Sequence, residues 1–151
     1  MSFRLIDDRD ELRRLYWKLI EEGCNIPEFI NTRIQWNADT FEDMFSSYWW
    51  MYKITNNGQL AGFVCVVFFE DTDAELCYWA KEKTSPWFVY KTALTLMPYL
   101  VSACKRIKTY NSNKQNRRLI TLLGGKPDQN GATLWAEAAA EVPLNHQNLH
   151  Q

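Results

Sequence analysis

The residues with the most chemical interest lie in the second half of this 151-residue chain. Fifteen of its eighteen acidic residues precede Lys83, and from Lys83 to Pro127 there is no Asp or Glu. Lys83, Lys91, Lys105, Arg106, Lys108, Lys114, Arg117, Arg118 and Lys126 all fall in that interval, so a net charge of -1 hides a basic half. Such a half suits a phosphate-bearing ligand or an acidic partner; pairing with the acidic half across the fold is the ordinary alternative. Inside it, NSNKQNRRLITLLGGK (111–126) passes from a basic, amide-rich start into an apolar helical pattern that stops on two glycines. Nucleophilic triads are not available, because His146 and His150, the two histidines, sit in a polar tail. Cys24, Cys65, Cys77 and Cys104 are far apart with no C-x-x-C pair. That spacing argues against zinc and for reduced core thiols in a cytosolic setting.

These residues need elements to position them. RLI (4–6) reads as a short strand, and Asp7 or Asp8 caps a helix whose stripe is Leu12, Leu15, Tyr16, Leu19 and Ile20, ending at Gly23. ADTFEDMFSS reads as a second helix with Asp39 as N-cap and Glu42 completing a capping box. YWWMYKIT and QLAGFVCVVFFE, joined through Asn57-Gly58, form a hairpin, and AELCYWA (74–80) follows as the next strand. A helix opens at Thr84 or Ser85 with Pro86 at its first position, and Pro98 inside it should kink it. RIKTYN (106–111), the helix after it and GATLWAE complete the order β-α-α-β-β-β-α-β-α-β. Trp49 and Trp50, beside Tyr48 and Tyr52, alternate faces, so one set should point away from the core or into a protein partner or second copy of the chain. No apolar run is long enough to span a bilayer and no leader opens the chain, so a cytoplasmic protein is expected.

This order resembles the GNAT superfamily of N-acetyltransferases over about Phe3 to Glu137. The family's closing helix commonly reads as Asn, a few polar residues, a Leu-Tyr pair and Leu-Gly-Phe. Asn113, Leu119-Ile120 and Leu123-Gly124-Gly125 fall on those positions. Some members carry a catalytic Glu near the start of strand four, and Glu75 in AELCYWA matches it. The resemblance implies a single domain over 1–140 with a polar tail over 141–151. Its fold would be α/β of the α+β type, with a mixed, mostly antiparallel sheet and about four helices. Strands four and five would be parallel neighbours, splayed at their ends. It also implies acetyl-CoA as cofactor, with Asn113 on the pantetheine arm and Lys114, Arg117 or Arg118 on phosphate. Glu75 would be the general base that takes a proton from a substrate ammonium.

The chain departs from the family at its most telling motif, the glycine-rich loop that closes backbone N–H groups around pyrophosphate. KEKTSPW stands there, and no glycine occurs between Gly62 and Gly124. Lys81, Lys83, Thr84, Ser85 and the helix start at Trp87 are the remaining candidates for phosphate. The family's Tyr acid falls on Ile120, for which Tyr110 is the candidate substitute. A non-catalytic GNAT-like binding or assembly protein is therefore the first expectation, and an acyl-CoA-dependent N-acetyltransferase the second. The chain also looks like small GNAT-like proteins of tailed phages, some with head-assembly or internal virion roles. A nucleic-acid interface on residues 83–127 is a third reading, with no base-stacking motif behind it.

Overall fold

The computed structural model describes residues 1–30, 35–44, 49–69, 72–109, 114–128 and 131–135. Its strands are β1 (Ser2–Leu5), β2 (Trp49–Asn56), β3 (Gln59–Phe69), β4 (Asp73–Ala80), β5 (Arg106–Thr109), β6 (Lys126–Asp128) and β7 (Gly131–Trp135). They form one sheet in the order β1-β2-β3-β4-β5-β7-β6. Every neighbouring pair is antiparallel except β4 and β5, which run parallel as expected. The helices are α1 (Arg9–Glu21), α2 (Ile26–Phe29), α3 (Ala38–Asp43), α4 (Pro86–Ala103) and α5 (Lys114–Leu122). The four-residue α2 and the short β6 are additions to the expected order.

Local chemistry explains most of the boundaries. Asp8 caps α1 by accepting the Glu11 N–H at 2.7 Å, and Gly23 closes it with a positive φ of 78°. The β2–β3 turn holds Asn57 and Gly58 at φ of 53° and 76°, the left-handed pair a tight hairpin needs. Helix α3 starts earlier than expected. Asn37, not Asp39, is its N-cap, and the capping box is closed by Thr40, not Glu42. Asp39 and Glu42 instead pair with Arg13 from α1, at 2.7 and 2.9 Å. Helix α4 runs unbroken through Pro98.

Two cores lie on opposite faces of the sheet. Helices α4 and α5 cover one, where Val64, Val66, Leu76, Leu96, Met97, Ile107 and Ile120 are buried together. Helices α1 to α3 cover the other, around Leu12, Leu19, Phe41, Met51, Phe63 and Cys77. Trp49 belongs to this second core: it is buried and meets Trp36 and Phe41 edge to face. Trp50, half-buried, sets its ring 4.7 Å from that of Phe68 on the opposite face. Both faces of β2 are packed, so alternation presents neither ring as a broad contact surface.

Candidate functional site

The site grows from the short parallel junction of the sheet. The parallel pairing of β4 and β5 covers only Asp73–Glu75 against Arg106–Lys108. At its closed end Arg106 grips Asp73 through two charge-assisted bonds of 2.7 and 2.8 Å. Beyond Glu75 no further pairing joins β4 to β5 among the described residues, and the Tyr78 N–H takes its bond from elsewhere. Asn116, fully buried on α5, reaches in and accepts that N–H at 2.9 Å through Oδ1. Its Nδ2 donates at 2.9 Å to the carbonyl of Phe29, at the end of α2.

Outside this gap lies an open groove of about 240 Å³, lined by Tyr78 of β4, Pro86, Val89 and Tyr90 of α4, and Lys114, Arg118 and Leu122 of α5 among others. Burial pushes the Tyr78 phenol up, and the nearby Arg118 guanidinium opposes that. Trp87, half exposed, sits beside the groove with its ring 5.6 Å from that of Tyr90. The arrangement can hold an anionic group next to aromatic surface.

The expected cofactor residues do not converge on this groove. Lys81, Lys83 and Thr84 line a different hollow, of about 310 Å³, against Asn56, Gln59 and Ala61 by the hairpin turn. Lys81 Nζ lies 2.9 Å from the Glu22 carboxylate, and the Thr84 hydroxyl donates to the Ala61 carbonyl at 2.7 Å. Lys81 also holds Glu22 below the usual carboxylate range, through their hydrogen bond first. Ser85 takes the N-cap position of α4 without a side-chain capping bond, and Pro86 after it has no N–H to offer. On α5 it is Arg118, exposed, that lines the groove, while Arg117 is half-buried. Asn113 and Tyr110 lie outside the described residues.

Glu75, the expected general base, lies on β4. It has no solvent exposure, because β4 is a central strand, and it shares the face of Cys77 and Trp79. Burial first, and then the facing Cys65 thiol 3.1 Å away, push Cys77 well above the ordinary thiol range; Glu75 adds to this. Asp7, Asp8 and Glu11 bring carboxylate oxygens close together, but Asp8 caps α1 and Glu11 pairs with Arg4, so structural roles account for both. No described helix is long and apolar enough to cross a membrane.

Sequence reasoning missed Asn116, Tyr78 and the groove around them. A signal was present: Asn116 falls on the stripe of Leu119, Ile120 and Leu123, so one amide sits where apolar residues recur.

No family model and no curated protein matches the chain. Solved structures do. RimL, a ribosomal L7/L12 α-N-protein acetyltransferase in complex with coenzyme A, matches with a TM-score of 0.65 at 12% identity, over 91% of this chain and 96% of its own. The aminoglycoside acetyltransferase AAC(6')-Ib in complex with coenzyme A matches at 0.61 and 14%, over 93% and 97%. An acetyl transferase from Salmonella typhimurium that modifies the N-terminal serine of 50S ribosomal subunit protein L7/L12 matches at 0.59 and 13%, over 87% and 89%. At such identities the likeness is one of fold: this chain has the mixed, mostly antiparallel GNAT fold.

Proposed function

We propose that this GNAT-fold chain is a non-catalytic binding or assembly protein. One observation carries the reading: two of the groups that would hold a cofactor's phosphates at the start of α4, Lys81 and Thr84, are committed internally. Lys81 serves Glu22, Thr84 serves Ala61, and Pro86 lacks the N–H that a helix start would turn toward an anion. Weak anchoring of the charged end leaves a thioester poorly placed, and a displacement of ~1 Å can cost on the order of a hundredfold in rate. Burial of Glu75 supports the same reading, since a general base must lie within hydrogen-bond reach of its proton.

The partner face in this reading is the basic side carrying α4 and α5. Leu122 is exposed there with Lys114 and Arg118 around the same groove, and Trp87 is exposed beside Tyr90 of that groove. Aromatic anchors ringed by cations suit an acidic protein surface. In its finer form the partner belongs to a phage particle; that form rests on the sequence resemblance alone, and detection of the chain in purified particles tests it.

A second reading, an acyl-CoA-dependent N-acetyltransferase acting on an amine with Glu75 as base, is favoured by the groove itself, a cationic opening beside the parted strands. Calorimetric titration with acetyl-CoA separates the two. The expected result is no binding tighter than about 1 mM. Micromolar affinity, with amine acetylation abolished by Glu75→Gln, establishes the enzyme instead.

A further inference from the structure

Asn116 satisfies two backbone groups that the fold itself leaves over. The Tyr78 N–H lies on β4 beyond its last described pairing with β5, and among the described residues its acceptor is Asn116 rather than a strand carbonyl. The Phe29 carbonyl closes a four-residue helix, and a helix end leaves its last carbonyls without intrahelical partners. A primary amide fits both needs at once, with one carbonyl oxygen and one NH2 pointing apart. An ionised Asp has no donor, and Ser or Ala is too short to span the gap. The position is fully buried, and Leu119 and Ile120 anchor the same helix in the core below.

We infer that Asn116 is a built-in substitute for a bound amide: it fills the opening between β4 and β5 and so determines what that opening admits. An extended chain bearing secondary amides, entering between the strands, needs the Tyr78 N–H for its carbonyl and the Phe29 carbonyl for its N–H. Both are taken by Asn116, so such a chain is confined to the outer groove of Tyr78, Tyr90, Lys114 and Arg118. The opening is therefore a latent site for an amide-bearing chain, and a single side chain keeps it shut. This rests on the reading of the protein as non-catalytic and gives that reading a residue.

The test uses the full chain and pantetheine as the probe, with titration calorimetry and amide hydrogen exchange by NMR. In the native protein the Tyr78 amide is expected to exchange slowly and pantetheine not to bind. In Asn116→Ala, folded by circular dichroism, the Tyr78 amide should exchange fast in the free protein. It should become slow again when pantetheine is added, with affinity raised about tenfold or more. Asn116→Ser, which keeps a polar atom but cannot reach both partners, should show the same gain and stands in if the Ala variant does not fold. Fast exchange at Tyr78 in the native protein overturns the inference, as does a folded variant with no gain; neither touches the non-catalytic reading. Tight pantetheine binding by the native protein also overturns the inference, whereas acetyl transfer to an amine is what overturns the non-catalytic reading.

Discussion

Gly62 is the position where a single methyl group should do the most damage to this fold. It pairs with Ala80 across the β3–β4 ladder. A Cβ built there lies 2.4 Å from the Trp79 carbonyl oxygen and 3.0 Å from the Ala80 Cα, about 1 Å short of ordinary contact. Both obstacles are backbone of a central strand, so no side chain can swing aside. Relief requires β3 and β4 to separate at the end that holds Ala61, whose carbonyl accepts both the Lys81 N–H and the Thr84 hydroxyl. Overpacking of this kind costs about 1–3 kcal/mol, and the upper end applies because backbone must move. At 2–4 °C per kcal/mol for a chain of this size, Gly62→Ala should lower Tm by roughly 6–12 °C. Gly58→Ala is the control: nothing lies within 4 Å of its Cβ, and the strain comes only from its φ of 76°. That costs about 1–2 kcal/mol. Urea melts of both variants, with the native m-value retained, measure the two terms. If Gly62→Ala loses less than Gly58→Ala, the steric reasoning is wrong.

Trp49→Phe should be close to neutral. Its Nε1–H is buried with no hydrogen-bond partner among the described residues, so deleting it recovers about 1–3 kcal/mol that offsets the smaller ring. Trp49→Ala should cost about 3–5 kcal/mol, and equal losses for the two would show that the indole N–H is satisfied. Trp87→Ala should change stability by less than about 0.5 kcal/mol while weakening partner capture, which a melt and a pull-down check together. The thiols supply a pH test. Burial pushes Cys24 up to about 12, so its neutral form is favoured in the native state and its contribution is complete below the unfolded value of 9.0. Stability should therefore fall as pH rises from 9 toward about 12, and Cys24→Ala should flatten that limb. Asp73→Asn removes a bidentate charged pair at the fork of the sheet and should cost about 2 kcal/mol by urea melt.

Residues with local reasons were legible before any coordinates. Asn57-Gly58 announced the hairpin because its turn demands two left-handed residues, and Pro86 marked the start of α4 because a first-turn position needs no N–H. Errors arose where two local signals competed or where tertiary contact decided. Asp39 had the form of a cap, but Asn37 with Thr40 closes the same box two residues earlier, which frees Asp39 for Arg13. Strand β6 is three residues with a central Pro, too short and too poor in strand formers to register. Alternation correctly sent Trp49 and Trp50 to opposite faces, yet whether each face is covered depends on helices far away in the chain. Glu75 shows the same limit: its strand and that strand's place beside strand five were evident, its complete burial was not. Asn116 was hidden differently. An amide in a basic helix start reads as solvated until the strand it serves is known to lack a neighbour.

The fork between β4 and β5 also divides the chain in time. Strands β1 to β4 form one antiparallel leaf from Ser2 to Ala80, with both β2–β3 and β3–β4 joined through short connections. Strands β5, β7 and β6 form a second leaf from Arg106 to Trp135. Closing the parallel contact requires the whole of α4 to be spanned first, so the second leaf docks only after that loop-closure entropy has been met. Three paired residues, the Arg106–Asp73 grip, the Asn116 bridge to Tyr78 and the core shared by Val64, Leu76, Ile107 and Ile120 fasten it. The narrow seam predicts that under mild denaturant the amides of β6 and β7 exchange before those of β3. A partner or ligand that sits across the seam would raise the protection of the second leaf alone, so exchange kinetics read occupancy of this fork without knowing what occupies it.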